Sequence, residues 1–369
     1  MSLLVVAGEA SGDGHAARVV AELRRRHGDV EVFGLGRQEL LAQGLDPIGS
    51  SEVLNLVGLT EVLRRLPAIF RLRNRLLEEV RRRKPTAALL VDLPGFNLHL
   101  AGKLKKMGVP VTYYVAPQAW AWRKGRVKKI RRRVDKLCAI FPFEKLFFGQ
   151  AGVPVEYVGH PLSEKAWGNP PLDERLVAIV PGSRPGEIER LLPMLAVSAR
   201  LLSERMGRLR FRLPVAPGLD PTRIRQILDQ AEVEVELVDG GAPAALRGAR
   251  LALVTSGTAS LEAAFSKVPM VVVYKMGRLS YLLGRAMFRL RHFCIVNILA
   301  GKTVVPELLQ GRARPAAVVE QAMRMLEEGE ARRRALAGMQ EVVSALGEAK
   351  PSQRVAEVLG EWLPGREVS

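Results

Sequence analysis

The chain has 369 residues, of which 48% are hydrophobic and 25% are charged. This composition excludes a disordered chain, and the length suits two globular domains. The net charge is +18, and residues 1–165 contribute +12 of it, with 28 Lys and Arg against 16 Asp and Glu. Such an excess favours an anionic partner, either nucleic acid, a membrane surface or a phosphorylated substrate. General adaptation to heat or to genomic composition explains the same excess equally well.

Cysteine content and apolar run lengths limit the compartment. Cys138 and Cys294 are far apart and have no metal-ligand spacing, which predicts a reducing cytoplasm and no disulfide framework. The N-terminus, Met1–Ala7, lacks the basic lead and the length of a signal peptide. No run approaches the ~18 apolar residues of a membrane span. We therefore expect a soluble protein, attached at most to a membrane surface.

Short apolar runs and longer amphipathic runs alternate along the chain. The predicted strands of a first series are Leu3–Ala7, Val30–Leu35, Ala87–Asp92, Val111–Ala116, Leu137–Phe141 and Val155–Val158, and those of a second series are Leu176–Pro181, Phe211–Ala216, Val233–Val238, Leu251–Thr255 and Met270–Tyr274. The predicted helices between them include Gly14–Arg26, Arg71–Arg83, Glu187–Met206, Pro221–Gln230 and Thr258–Ser266. This alternation predicts an α/β fold of two Rossmann-like, doubly wound domains that face each other across a cleft.

The turn-rich stretch Trp167–Pro171 is the predicted boundary between the domains. We therefore expect a first domain of residues 1–168 and a second domain of residues 169–344. The tail, residues 345–369, is predicted to be helical and to pack back on the first domain. Ligands of such sheets bind beyond the carboxyl ends of the strands, so the loops there are the candidate sites.

Two candidate loops follow strands of the first series. Gly8–Gly14 is rich in glycine and lets a ligand approach the backbone, although a plain tight turn accounts for it equally well. Asp92 ends a strand of nearly pure hydrocarbon, where burial would raise its pKa toward that of a general base. The alternative role for Asp92 is a cap on the following helix.

A third loop carries Trp120 and Trp122, followed by the basic run Arg123–Arg133. The indoles could stack on a sugar or on acyl chains while the cations meet phosphates. The same pattern is also typical of nucleic-acid binding, or of a solvated helix that tryptophan anchors to the core.

Two loops follow strands of the second series. Val180–Glu187 brings Arg184 to a strand end, where its guanidinium could bind a diphosphate or simply pair with Glu187 or Glu189. Thr255–Glu262 reads as a strand, a tight turn and a helix N-terminus, which favours a phosphate. Glu262 lies further along, where a carboxylate could accept hydrogen bonds from ribose hydroxyls.

Other patterns exclude some chemistry and leave one surface open. The five histidines lack zinc-ligand spacing and no Asp-any-Asp triplet is present, so we expect no metal site. A Walker A motif is also missing, which argues against ATP hydrolysis. Apolar residues recur at helical spacing between Leu56 and Phe70, beside several arginines. This stretch, extended to residue 83, is predicted either to lie on a bilayer surface or to pack on its own sheet, and Pro67 complicates both.

Together the loops resemble the lipid-A-disaccharide synthase family. The resemblance runs from Gly8 to the helical tail. It is carried by Gly-Glu-Ala-Ser-Gly-Asp at 8–13, Asp-Leu-Pro-Gly-Phe-Asn at 92–97, Trp-Ala-Trp-Arg at 120–123, Phe-Pro-Phe-Glu at 141–144, Gly-His-Pro at 159–161, Pro-Gly-Ser-Arg at 181–184, Ser-Gly-Thr-Ala-Ser-Leu-Glu at 256–262, Asn-Ile-Leu-Ala-Gly at 297–301 and Pro-Glu-Leu-Leu at 306–309. It implies an inverting GT-B glycosyltransferase that uses neither a metal nor a cofactor. The implied reaction joins UDP-2,3-diacylglucosamine to 2,3-diacylglucosamine 1-phosphate through a β-1,6 linkage and releases UDP.

The resemblance also assigns site residues. Asp92 matches the family's essential acid, Arg184 its arginine at the UDP diphosphate, and Glu262 its ribose-binding acid. The donor site would further include Ser11, Gly182, Ser183, Ser256, Gly257, Thr258, Ser260 and Asn297, and the acceptor site Gly8, Glu9, Gly12, Asp13, Asn97, Trp120, Trp122 and Arg123. Gln118 and Ala119 depart from the usual serine and valine. The family also implies peripheral attachment to the inner face of an anionic cell membrane and, by analogy, a homodimer.

Two rival functions are separable from this one. Another UDP-sugar enzyme of the same fold, an N-acetylglucosaminyl transferase or a UDP-N-acetylglucosamine 2-epimerase, would share the donor loops, but the epimerase needs no acceptor. A nucleic-acid-binding protein would use the run 123–133 and leave the paired strand-end loops unexplained, so we expect no nucleic-acid partner.

Overall fold

The computed structural model describes residues 1–54, 59–117, 124–275, 292–347 and 349–363. They form two compact units, one of Met1–Lys165 with Leu346–Ser369 and the other of Ala166–Ala345. The expected fold class is confirmed, because each unit is a parallel sheet covered by helices. No helix among the described residues is long and apolar enough to cross a membrane.

The first unit contains a sheet of seven strands within the described ranges. The strands are β1 Ser2–Val6, β2 Glu31–Leu35, β3 Asp46–Pro47, β4 Ala87–Val91, β5 Val111–Tyr114, β6 Lys136–Ala139 and β7 Val155–Tyr157. Their order is β3-β2-β1-β4-β5-β6-β7, and every pair is parallel. The strand order therefore reverses between β1 and β4, which is the switch point of the sheet.

Helices cover the strands of this first sheet. They are α1 Ala10–His27, α2 Gln38–Ala42, α3 Leu59–Arg83, α4 Pro94–Lys106, α5 Lys124–Arg133, α6 Pro142–Gln150 and, returning from the end of the chain, α14 Pro351–Gly360. Leu76 of α3, Ala101 of α4 and Ile130 of α5 are fully buried in one core cluster with residues of the strands. α14 packs on α1, and Arg26 pairs there with Glu357 at 3.0 Å.

The second unit repeats the plan with six strands in its described part. These are β8 Asp173–Val180, β9 Arg210–Pro214, β10 Glu236–Val238, β11 Ala249–Thr255, β12 Met270–Tyr274 and β13 Glu307–Leu309. The helices are α7 Pro185–Met206, α8 Pro221–Gln230, α9 Gly241–Leu246, α10 Thr258–Phe265, α11 Ile295–Ala300, α12 Pro315–Leu326 and α13 Glu330–Leu346. The order β10-β9-β8-β11-β12-β13 places the switch point between β8 and β11.

Four segments differ from the sequence-based expectation. β10 begins at Glu236 instead of Val233, because Glu232 has a φ of 54° and the chain is still turning there. The short strands β3 and β13 were not expected, since neither carries a long apolar run. α3 begins at Leu59 and continues through Pro67, so the amphipathic stretch is one helix and not a separate segment before Arg71.

Candidate functional site

The switch point of the first sheet brings two of the predicted loops into contact. Gly8 follows β1, Asp92 follows β4, and the two strands are neighbours. A Cβ atom on Gly8 would lie 2.5 Å from Cδ1 of Leu93, so the two loops are in close contact here, and a larger residue at position 8 would displace the Leu93 side chain. The predicted acceptor residues of the first loop and the predicted base therefore share one edge of the sheet.

Within the first loop, the residues divide into exposed and buried ones. Glu9 and Ser11 are exposed, and Ser11 lies in the first turn of α1. Gly12 is buried, and the Asp13 side chain is only 1% exposed. The Asp13 carboxylate accepts hydrogen bonds from the backbone N–H groups of Arg37, at 2.6 Å, and Glu39, at 2.9 Å. In this structure Asp13 therefore supports the start of α2 instead of facing a ligand.

The loop after β4 holds Asp92 in an unusual backbone conformation. Asp92 and Leu93 have φ values of 48° and 47°, a left-handed pair that costs of order 1–3 kcal/mol per residue outside glycine. The Asp92 N–H donates to the carbonyl of Tyr114 at 3.0 Å, which extends the β4–β5 ladder by one residue. The Asp92 side chain remains partly exposed at the edge of the sheet.

Asn97 lies beneath this loop, not at its surface. Its side chain is fully buried, and Nδ2 donates to the carbonyls of Val91 at 3.1 Å and Asp92 at 2.9 Å. The predicted contact of Asn97 with an acceptor is therefore not the role that this geometry favours. Asn97 supports the backbone of the predicted base instead.

Two histidines lie near the same edge, and His160 is buried whereas His15 is partly buried. Burial lowers the pKa of His160 to about 4, and its Nδ1 accepts the N–H of Leu162 at 3.2 Å. Burial, helped by Arg18, lowers the pKa of His15 to about 3, and an Arg18 N–H donates to its Nδ1 at 2.9 Å. Both imidazoles are neutral near pH 7. Within the described ranges, no three His, Cys, Asp or Glu side chains converge as a metal site.

Three predicted acceptor residues cannot be placed at this edge. Trp120, Trp122 and Arg123 lie outside the described residues, and the structure resumes at the start of α5. Their assignment stays a prediction.

In the second unit, the loop after β8 carries Gly182, Ser183 and Arg184. Gly182 has a φ of 121°, and a Cβ atom there would lie 2.2 Å from Oε2 of Glu187, so this turn requires glycine. The Glu187 carboxylate accepts the N–H of Ser183 at 3.1 Å and pairs with Arg184 at 3.4 Å. The Arg184 side chain is still 62% exposed, so its guanidinium is accessible to an anion at the N-terminus of α7.

Of the two glutamates expected as alternative partners of Arg184, Glu189 binds a different arginine. Glu189 pairs with Arg223 at 2.7 Å. The ion pair to Glu187 that the sequence left open is present, but it joins exposed groups and is worth at most about 1 kcal/mol. A diphosphate could displace it at little cost.

The loop after β11 lies beside the β8 loop, because the two strands are paired. Gly257 and Thr258 are exposed at the N-terminus of α10, and Glu262 is half-buried further along that helix. Ser256 Oγ donates to the carbonyl of Phe293 at 2.8 Å. Ser260 is fully buried, and its Oγ donates to the carbonyl of Gly257 at 2.8 Å, so Ser260 shapes the turn from inside.

Asn297 is buried and satisfied by internal hydrogen bonds. Its Oδ1 accepts the N–H groups of Val304 at 2.7 Å and Val305 at 3.0 Å, and its Nδ2 donates to Glu307 Oε1 at 2.5 Å. Glu307 Oε2 accepts the N–H of Phe293 at 2.8 Å. Asn297 was predicted to line the donor-substrate site. In the structure it acts with Glu307 to fix the segment around Phe293, to which Ser256 is hydrogen-bonded.

Comparison with known protein families identifies the family of this chain. A sequence model described as Lipid-A-disaccharide synthetase matches residues 3–358, nearly the whole chain. The chain belongs to the lipid-A-disaccharide synthase family. The lipid-A-disaccharide synthase of Myxococcus xanthus is 44% identical, with 98% of this chain and 97% of that protein covered. The lipid-A-disaccharide synthase of Pseudomonas aeruginosa is 39% identical, with 89% and 90% covered.

Solved structures that resemble this chain support the fold. A UDP-GlcNAc 2-epimerase from Neisseria meningitidis, solved with UDP-GlcNAc bound, matches with a TM-score of 0.67 at 14% identity and covers 98% of this chain and 100% of its own. The calicheamicin glycosyltransferase CalG4 matches with a TM-score of 0.60 at 16% identity, with 98% and 99% covered. These similarities show the GT-B fold, and membership of the lipid-A-disaccharide synthase family makes the chain a glycosyltransferase.

Two residues whose hydrogen bonds support these loops were not identified from the sequence. Glu307 stands in the motif at 306–309, but no role was assigned to it. The hydroxyl of Tyr113 donates to the backbone carbonyl of Asp92, but Tyr113 lies in an ordinary apolar strand run, so the sequence carries no signal of this contact.

Proposed function

We propose that this chain transfers the diacylglucosaminyl group of UDP-2,3-diacylglucosamine to the 6-hydroxyl of 2,3-diacylglucosamine 1-phosphate. The acceptor oxygen forms a bond to the anomeric carbon, the bond from that carbon to the UDP oxygen breaks, and the configuration inverts. The products are UDP and a β-1,6-linked tetraacyl disaccharide 1-phosphate. One observation carries this proposal. Asp92, the predicted base, and Arg184, the residue predicted to bind the diphosphate, each follow a strand at the switch point of their own sheet.

Asp92 is the proposed general base in the first unit. Its partly exposed carboxylate lies at the end of a buried strand, beside the glycine-rich loop with Gly8. In this role it accepts the proton of the acceptor hydroxyl as that oxygen attacks. Glu9 and Ser11, in the adjacent loop, are predicted substrate contacts that are exposed.

In the second unit, Arg184 and the N-termini of α7 and α10 are the proposed binding site for the diphosphate of the UDP-sugar. The exposed guanidinium can form paired hydrogen bonds to the diphosphate, while the positive dipole ends at the starts of α7 and α10 favour the same charge. Arg184 would also stabilise the charge that builds on departing UDP. Glu262, on the same helix as Thr258, is proposed to accept hydrogen bonds from the ribose hydroxyls of UDP.

The proposed site of membrane contact is a basic face on the first unit. Helices α3, α4 and α5 together carry eighteen Lys and Arg residues and three Glu residues, a balance of +15 out of the chain's +18. Phe70 on α3 is 48% exposed, and the guanidinium of Arg73 lies 5.0 Å from its ring centre. Cations around an exposed aromatic ring suit an anionic bilayer that supplies an acylated acceptor.

Vesicle sedimentation tests this basic face. We expect the protein to sediment at low salt with vesicles containing anionic phospholipid and to be released as salt rises. Changing Lys128 and Arg132 on α5 to Glu should weaken binding strongly, because both are exposed. The same charge change at the exposed Arg175 and Arg208 of the second unit is the control and should have little effect. Equal losses in both double variants would show that net charge, not this face, attracts the protein.

The reaction is tested by supplying UDP-2,3-diacylglucosamine with and without the monosaccharide 1-phosphate. We expect UDP release only when the acceptor is present, together with a tetraacyl disaccharide product. UDP release without acceptor would favour an epimerase-like activity, and no release at all would overturn the proposed donor. Dimerisation stays a prediction, which light scattering of the purified protein can test.

A further inference from the structure

The phenol of Tyr113 contacts the backbone of the loop that carries the proposed base. Tyr113 is on β5, its side chain is fully buried, and its hydroxyl donates to the backbone carbonyl of Asp92. Burial raises the pKa of Tyr113 well above its usual value, so the hydroxyl keeps its proton and remains a donor. A buried phenol without such an acceptor would be costly, so the contact is a specific pairing.

The same carbonyl receives a second hydrogen bond from the other side of the loop. Asn97 Nδ2 donates to the carbonyl of Asp92 at 2.9 Å and to that of Val91 at 3.1 Å. Because both partners are carbonyl oxygens, the amide of Asn97 must point its NH₂ group toward them. Both lone pairs of the Asp92 carbonyl are thus occupied, by a donor from β5 and a donor from α4.

The paired donors act on a residue whose backbone would otherwise relax. Asp92 and the following Leu93 both have left-handed φ values, which side-chain-bearing residues adopt only when the surroundings compensate. Rotation of the Asp92 peptide toward an ordinary conformation would swing the carboxylate away and would break both bonds to the carbonyl. The Asp92 N–H, bonded to Tyr114 at 3.0 Å, fixes the other end of the residue.

We propose that Tyr113 and Asn97 form a backbone clamp on Asp92 that sets the direction of its carboxylate for catalysis. Tyr113 and Asn97 are positioning residues in this scheme, since they reach the reaction only through Asp92. The inference rests on the proposed function, in which Asp92 is the general base.

The test compares Tyr113→Phe with Thr112→Val, a matched change on the same strand. Both variants remove one buried hydroxyl, but among the described residues Thr112 Oγ1 has no hydrogen-bond partner. We expect Tyr113→Phe to lower kcat about tenfold or more, with KM for both substrates unchanged, because a small misplacement of the base slows the chemical step. Thr112→Val should retain the kcat of the parent protein. UDP titration counts the folded sites, so that kcat is expressed per competent molecule.

A double-variant cycle shows whether Tyr113 acts through Asp92. Asp92→Glu retains a carboxylate but moves it, so its position no longer depends closely on the clamp. We expect Tyr113→Phe to cost clearly less in the Asp92→Glu background than in the parent protein. The clamp would be overturned if the fold-losses of kcat caused by Tyr113→Phe and Asp92→Glu simply multiply in the double variant. It would also be overturned if Tyr113→Phe is as active as Thr112→Val.

These outcomes are distinguishable from failure of the proposed function. If Asp92→Asn loses turnover while Tyr113→Phe matches its control, the base assignment stands and only the clamp fails. If Asp92→Asn keeps near-normal turnover, the base assignment fails, whatever Tyr113→Phe does, and the clamp fails with it.

Discussion

The two switch points solve the same geometric problem with different residues. After β4, the first sheet turns into α4 through Asp92 and Leu93, two left-handed residues with side chains. After β8, the second sheet turns into α7 through Gly182, and Arg184 at the end of that turn is 62% exposed. The first turn is strained and held by buried donors, whereas the second uses a glycine and leaves its cation accessible.

This difference matches the work that each edge would do. A general base needs its direction fixed before the substrate arrives, so strain held by surrounding hydrogen bonds is useful there. A diphosphate ligand brings negative charge and many hydrogen-bond acceptors, and it can order an exposed arginine at a helix N-terminus on binding. We therefore infer that deprotonation of the acceptor depends on the first edge, whereas donor affinity and stabilisation of departing UDP depend on the second.

The largest expected effect is at the first edge. Asp92→Asn removes the proposed base without a change of size, and turnover should fall by about a thousandfold or more, consistent with loss of general-base catalysis. Steady-state assays of UDP release with both substrates measure this loss. Asp29→Asn, an exposed change in the same unit, is the control and should be fully active. Near-normal turnover of Asp92→Asn would remove the first edge from the chemistry.

A somewhat smaller loss is expected at the second edge. Arg184→Ala should lower kcat/KM about a hundredfold, because the diphosphate loses a charged ligand both in binding and in the transition state. Arg223→Ala provides a matched control, since Arg223 is also an arginine paired with a glutamate of α7, at 2.7 Å. If both variants lose activity to the same extent, helix α7 and not the guanidinium at the strand end is responsible.

The smallest expected effect concerns the buried surroundings of the first edge. The folded-state pKa of His160, about 4, lies below its ordinary value of 6.5, so the neutral form stabilises the fold. This contribution is complete above pH 6.5 and is lost as the pH falls toward 4, at about 1.4 kcal/mol per unit. His15, Arg18 and Glu164 lie near His160, and His15 titrates in the same direction.

His160→Asn isolates this effect, because asparagine can still accept the N–H of Leu162. The free energy of unfolding, measured by urea at about pH 7.5 and about pH 5, should drop less in His160→Asn than in the parent protein. An equal drop in both would show that other groups carry the acid sensitivity.

The sequence was sufficient for the alternating fold and for the loops at the two switch points, because apolar strand runs and glycine-rich turns are local patterns. It did not reveal which loop residues face inward. Asp13, Asn97 and Asn297 share the polarity of ligand-binding residues, yet their side chains are buried and bonded to backbone groups. Tyr113 shows the converse, since its partner is 21 residues away and depends on the pairing of β4 with β5.

The most direct test of the division between the two edges is calorimetric titration of UDP into Asp92→Asn and Arg184→Ala. We predict that Asp92→Asn binds UDP as tightly as the parent protein although its turnover is lost. Arg184→Ala should bind UDP about tenfold or more weakly, because a charged hydrogen-bond donor to the diphosphate is missing. A loss of UDP affinity in Asp92→Asn equal to that in Arg184→Ala would contradict the separation of acceptor deprotonation from donor binding.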